Sequence, residues 1–267
     1  GASSFNQPVD NWNISRVSSL SSVFNGASSF NQPLNNWDVS GVTSTYRMFR
    51  GADNFNQPLN NWSTSNVRNM QEMFNGATNF NQSINNWSLE SINGDGILEI
   101  FRGATNFNQP LDNWNTSRIT NMEGVFNGAT TFNQDIGSWD VSNVTRFGYL
   151  SYLTGGMFED ANAFNQPLNS WNVSNTQSFV NMFRGASDFN QPLDNWDNTS
   201  NGVSFGNMFR GASSFNQPLN NWSTSSATNM MGMFANAVIF NQDIGSWDVS
   251  KVTQFGSVTG GWTGMFS

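Results

Sequence analysis

The chain has 267 residues, a formal net charge of −8 and only 10% charged residues. Binding to nucleic acid requires clustered lysine and arginine, so this charge argues against a nucleic-acid partner. Cysteine and histidine are both absent, which removes disulfides, thiolate ligands and the commonest catalytic base. We therefore expect no catalytic residue, no cofactor and no metal ion. No segment approaches the roughly 20 apolar residues that cross a bilayer, so we expect no direct membrane insertion.

The tripeptide Phe-Asn-Gln recurs along the whole chain and predicts the architecture. Its spacing is 25–27 residues, apart from one spacing of 32 between Phe132 and Phe164. A period in this range is typical of a stacked repeat array, in which no single unit can bury its apolar face. We predict one repeat solenoid over residues 1–267 with about ten coils and no capping unit at either end. The phenylalanines are Phe5, Phe30, Phe55, Phe80, Phe107, Phe132, Phe164, Phe189, Phe215 and Phe240.

Each unit contains two further patterns in chain order. Trp37-Asp38-Val39 alternates apolar, polar and apolar residues, which predicts a short, half-buried parallel β-strand. Val67, Met70, Met73 and Phe74 follow a spacing typical of a short helix or 3₁₀ turn. A glycine then ends the unit, and we expect it to adopt a positive φ.

Stacking these units predicts two columns of side chains, one of asparagine and one of tryptophan. Asn6, Asn31 and their equivalents would lie in a row, where amides bond backbone groups at the corner and each other across coils. This interpretation is favoured over a ligand-binding ladder because the asparagine recurs in every unit. The tryptophans are in phase with Val, Ile or Thr two residues later, which favours core packing over an exposed carbohydrate platform.

The motif G-A-x-x-F-N-Q-P-L-N-N-W-D-V-S-x-V-T-x-M-x-x-M-F is found best in residues 28–49, 53–74 and 105–126. It resembles the repeats of bacterial surface lipoproteins of the mycoplasma type, related to BspA-type leucine-rich-repeat proteins. The resemblance implies a leucine-rich-repeat-like solenoid on the outside of a cell, in proteins associated with adhesion. That family has no catalytic residues to transfer. Trp and Phe replace the leucines of the core in this chain.

The irregular units contain the candidate contact sites. Two expanded loops hold Tyr149, Tyr152 and Trp262, and inserted loops project from one face of a solenoid. We expect these aromatic side chains to contact a ligand if the protein is a carbohydrate-binding module. The outward position of the predicted strand provides a second candidate column: Asp38, Asp140, Asp197 and Asp248.

The leading hypothesis is a non-catalytic, extracellular structural or adhesive protein of a cell surface. Its partners would be other surface proteins, glycans or copies of itself, joined end to end as a filament or continued as a longer array. The alternatives are the carbohydrate-binding module and an ice-binding solenoid, although the row of Val39, Thr64, Leu89 and Thr116 is too mixed for a flat threonine face. Sequons for N-glycosylation occur at Asn13, Asn61, Asn86, Asn115, Asn143, Asn172, Asn198 and Asn221.

Overall fold

The chain winds into stacked coils joined by a short parallel β-sheet. The structure is a computed structural model and describes residues 1–149, 155–197, 202–256 and 264–267. The sheet has four strands in the order β1-β2-β3-β4, and each pairs in parallel with the next. The strands are β1 (Arg146–Gly148), β2 (Ser178–Phe179), β3 (Val203–Ser204) and β4 (Ala227–Asn229).

Isolated parallel bridges continue this row toward both ends of the chain. Ser44 pairs with Ser19 on one side and with Asn69 on the other, and Asn229 pairs with Gln254. The prediction of parallel strands is confirmed, but their predicted position is wrong. Trp37-Asp38-Val39 and its equivalents lie between two i→i+3 turns, closed by Trp37 N–H to Leu34 and Val42 N–H to Val39. The alternation at that position reports burial of the first and third side chains, not strand pairing.

The segment predicted as a short helix or 3₁₀ turn is a run of turns, and the described residues contain neither an α-helix nor a 3₁₀-helix. Glu72 sits in this segment with a φ of 53°, which interrupts any right-handed helix. The backbone N–H groups of Glu72 and Phe74 also donate to Leu98 and Ile100 in the following coil. Donors that a helix would use internally therefore hold neighbouring coils together.

The glycine that ends each unit has the predicted left-handed conformation. Gly51, for example, has a φ of 64°, and its N–H donates to Asn75 O of the next coil. Two units replace this glycine by Asp160 and Asn236, which also have positive φ values. Asp and Asn are the residues that tolerate this region best after glycine.

Two columns of phenylalanine fill the core. One column is formed by the Phe-Asn-Gln phenylalanines, whose neighbouring ring centroids lie 5.8–6.1 Å apart from Phe5 to Phe240. The second runs from Phe24 to Phe266 with spacings of 5.5–5.8 Å. Because each ring is covered by the rings before and after it, no coil buries its aromatic surface alone.

The tryptophans complete the core, as the sequence predicts. Trp62 is 4% exposed and Trp114 is 3% exposed, whereas Trp12 in the first coil is 54% exposed. Each buried indole N–H donates to a backbone carbonyl of the preceding coil, as Trp62 does to Leu34 O at 3.2 Å. The same bond recurs from Trp37 to Trp247 with N···O distances of 2.8–3.2 Å.

Candidate functional site: an asparagine groove

The asparagine of Phe-Asn-Gln forms a column, called column 1, that links every coil to the next. The Oδ1 atom of Asn56 accepts the backbone N–H of Asn81 at 2.9 Å and the Nε2 of Gln82 at 3.0 Å. This confirms that the column bonds backbone groups at the corner. The donors to each column 1 oxygen are a backbone N–H group and a glutamine side chain of the next coil. Within the described residues, the column 1 side chains do not bond one another. The column comprises Asn6, Asn31, Asn56, Asn81, Asn108, Asn133, Asn165, Asn190, Asn216 and Asn241.

These bonds also determine which side-chain amide atoms of column 1 have no hydrogen-bond partner in the described part of the protein. Oδ1 accepts twice, so it cannot be exchanged with the nitrogen of the same amide. Among the described residues, the Nδ2 groups of Asn31, Asn56 and Asn81 donate to no protein acceptor. Column 1 therefore offers a repeated –NH₂ donor, once per coil.

A second asparagine row, called column 2, lies two residues earlier in the chain. It consists of Asn54, Asn79 and Asn106, each exposed and followed by a buried phenylalanine and a column 1 asparagine. Asn79 Nδ2 donates to Asn54 Oδ1 at 3.3 Å, and Asn106 Nδ2 donates to Asn79 Oδ1 at 3.1 Å. Columns 1 and 2 lie beside each other on the surface, since side chains from both line the same open pocket.

The two columns form the walls of an open groove of about 860 Å³. All of its lining side chains are uncharged amides or hydroxyls, with Ser29 and Thr131 at the positions equivalent to column 2 in the flanking coils. The lining is Asn6, Ser29, Asn31, Asn54, Asn56, Asn79, Asn81, Asn106, Asn108 and Thr131.

The predicted aspartate column is exposed but does not form a strand face. Asp38, Asp140 and Asp248 each accept the backbone N–H of the serine two residues later at 2.9–3.0 Å. Their carboxylates thus close local turns. Hydrogen bonds from Ser40, first from its hydroxyl and second from its backbone N–H, lower the pKa of Asp38. Asp197 is exposed, and coils without an aspartate here separate Asp38 from Asp140, so these carboxylates do not converge.

The other predicted contacts have different outcomes. Tyr149 is 54% exposed, whereas Tyr152 and Trp262 lie outside the described residues.

The row of side chains that ice binding would use is not exposed, which corrects that alternative. Val39, Thr64, Leu89 and Thr116 are all at most 3% exposed, so this row packs in the core and cannot meet ice.

The sequon asparagines are exposed wherever the structure describes them, and Asn198 lies outside that part. Asn86 and Asn143, however, use their Nδ2 atoms to bond carbonyls of the preceding coil at 2.7 and 2.8 Å. The Nδ2 atom is the one that carries a glycan. The remaining described sequons are Asn13, Asn61, Asn115, Asn172 and Asn221, and none of them donates through Nδ2 to a protein acceptor in the described residues.

Ion pairs run across the coils on another part of the surface. Glu72 contacts Arg47 at 2.7 Å and Arg50 at 3.0 Å. Glu159 pairs with Arg184 and accepts the backbone N–H of Gly156 at 3.0 Å. Burial, the largest influence, raises the pKa of Glu159 despite these bonds. The pairs bridge consecutive coils and do not approach the asparagine groove.

The described residues hold no group of three or more His, Cys, Asp or Glu side chains arranged to bind a metal ion. In the same part of the chain, no helix could cross a lipid bilayer.

Stacked coils with short parallel strands and an aromatic core define a repeat solenoid. A family model described as "Mycoplasma protein of unknown function, DUF285" matches residues 1–96, 95–196 and 155–264. The chain belongs to this family. Searches of curated proteins and of solved structures gave no match.

Proposed function

We propose that this chain is a non-catalytic structural or adhesive rod on the outside of a cell. The observation that carries the proposal is the asparagine groove, which offers the same uncharged polar groups in consecutive coils. A site repeated at the coil spacing can hold a partner by many weak contacts that add through effective concentration. The resemblance of the repeat to those of bacterial surface lipoproteins supports the extracellular location.

Bonds that recur from coil to coil also support a mechanical role. Column 1 and the buried tryptophans tie each coil to its neighbours by side-chain bonds in addition to the backbone rungs. Bonds made in every coil resist bending and slipping at every step, as an extended surface rod requires. In column 1, Oδ1 therefore joins neighbouring coils while Nδ2 stays available to a partner.

End-to-end association with a second copy is the filament form of this proposal. In the described residues of the last coil, Phe266 is 63% exposed and stacks on Phe234 at 5.8 Å. At the opposite end, Phe5 stacks on Phe30 at the same spacing and has its other face uncovered. A further coil or the matching end of another copy would cover these rings. Concentration-dependent light scattering tests this form, and strictly monomeric chains at high concentration would rule it out.

Beads coated with the chain test the adhesive proposal directly. Coated beads should attach to intact cells or cell-surface extracts more than beads coated with an unrelated acidic protein of equal charge. Attachment should increase steeply with the number of coils displayed, because contacts add along the rod. Equal attachment of both bead types would reject adhesion. Antibody labelling of intact source cells checks the location independently.

A further inference from the structure

We infer that the asparagine groove binds a neutral, hydroxyl-rich polysaccharide in an extended form, with one sugar unit facing each coil. This inference rests on the proposed adhesive function and identifies its ligand class. It also moves the carbohydrate contact away from the aromatic loops that the sequence favours.

The lining chemistry selects hydroxyl groups. Column 1 presents Nδ2 donors, while the Oδ1 atoms of Asn54 and Asn79 in column 2 each accept one bond and retain a lone pair. A sugar hydroxyl both donates and accepts, so one hydroxyl can bridge the two columns. Neighbouring coils in a parallel stack lie about 4.8 Å apart, which is comparable to the length of one pyranose unit in an extended glycan.

Other polymers fit this lining less well. No lysine or arginine lines the groove, so a phosphate or uronic acid polymer would lose hydration without gaining a counter-charge. An added peptide strand needs unpaired backbone groups, but the N–H groups of Asn56 and Asn81 are already bonded to column 1. An apolar ligand would bury amides without partners.

Column 2 is the feature that a purely structural explanation does not require. Column 1 is asparagine in every unit, whereas the column 2 position is Ala163 and Ile239 in later units without loss of the coil. Asparagine at column 2 is confined to three consecutive coils, and the groove spans those coils and their immediate neighbours. Three exposed amides are thus grouped where they line the open groove and not where the corner needs them.

The experiment measures glycan binding by the full chain on an array of neutral glucans, mannans, galactans, xylans and chitin oligomers, beside uronic acid polymers. The strongest neutral ligand is then titrated as a length series by calorimetry. We expect affinity to rise up to about five sugar units, because contacts in five stacked coils add along the groove. The groove variant N54A/N79A/N106A should bind about 10- to 100-fold more weakly, since three hydrogen-bonding side chains are lost.

The matched control is N35A/N60A/N61A, which removes three exposed asparagines outside the groove whose side chains make no hydrogen bond in the described residues. It should bind like the unaltered chain. N79R, which blocks the middle of the groove with one exposed substitution, serves as a second groove variant. Thermal melting of all variants verifies folding.

Three results would overturn the inference: no neutral glycan is bound, acidic polymers bind equally well, or the groove and control variants lose affinity equally. Thermal hysteresis that depends on column 2, without glycan binding, would identify ordered water as the ligand and also overturn it. The bead assay separates the two proposals. Beads that still adhere when coated with the groove variant would reject only the groove as the site, whereas beads that never adhere would reject the adhesive function.

Discussion

The side chain of Asn31 accepts the backbone N–H of Asn56, one coil further along the stack, in the place of a backbone carbonyl. Its Oδ1 accepts the Asn56 N–H at 3.0 Å and the Gln57 Nε2 at 3.0 Å. The N–H group of the corner backbone thus donates to a side-chain amide oxygen of the preceding coil and not to a backbone carbonyl. This arrangement explains why Phe-Asn-Gln is invariant among the units of this chain: the phenylalanine fills the core, and the two amides close the corner above it.

Removing one column 1 amide should therefore destabilise the stack locally. Asn81→Ala deprives the Asn108 N–H and the Gln109 Nε2 of their acceptor, at a cost of about 1–3 kcal/mol in the free energy of unfolding. Hydrogen exchange at the Asn108 amide and denaturant titration measure the effect. Asn81→Asp keeps the acceptor and should restore most of the loss. Equal destabilisation by both substitutions would contradict the role assigned to Oδ1.

Shortening one buried tryptophan should remove both packing and a cross-coil bond. Trp114 donates to Ile84 O at 3.2 Å, and that carbonyl also accepts the Trp87 N–H. Because the carbonyl keeps one partner, we expect Trp114→Phe to cost about 1–3 kcal/mol, from one lost bond and a partly filled cavity. Denaturant unfolding provides the measurement. The exposed Trp12→Phe is the control and should change stability by less than about 0.5 kcal/mol.

The glycine at the end of one unit, Gly103, is required for its φ and not for space. A Cβ on Gly103 would lie 3.6 Å from Gly76 Cα, an ordinary contact, but its φ is 66°. Gly103→Ala should therefore cost about 1–2 kcal/mol. Gly103→Asn should cost less, because Asn236 already adopts this conformation at the equivalent position. A larger loss for Asn than for Ala in thermal melting would indicate that steric crowding dominates instead.

The buried Glu159 predicts a pH dependence with a definite sign. Burial raises its pKa in the folded chain, so the folded state holds more protons than the unfolded state between the ordinary glutamate pKa of about 4.3 and the raised value. Stability from this group should fall as the pH rises through that window. Glu159→Gln keeps an acceptor without the charge and should flatten the dependence, as measured by melting temperature against pH. An unchanged slope in Glu159→Gln would refute the assignment.

The repeat period, the burial of the tryptophans and the positive φ of the glycines were predictable because each depends on a local pattern repeated many times. The strand position was not. Trp37 and Val39 are buried by two successive turns, which produce the same alternation as a strand. The non-glycine positive φ at Glu72 has no signature in sequence. The apolar spacing around Glu72 therefore predicts a short helix or 3₁₀ turn where the structure has a run of turns.

The groove was missed although a signal was present. Asn54-Phe55-Asn56 repeats as Asn79-Phe80-Asn81 and as Asn106-Phe107-Asn108, with a buried residue between two exposed or half-buried amides. An alternation of this kind indicates two polar rows on one face. The invariant Phe-Asn-Gln repeat starts one residue later and does not include the column 2 position, which varies among the units.

Most cross-coil bonds of the described residues span about one period of sequence, so each turn of the stack depends chiefly on its immediate neighbours. Unequal recombination that deletes or duplicates one such stretch of DNA would leave every remaining junction intact. Populations could then shorten or lengthen this protein in whole steps, adjusting its reach without redesigning its interior.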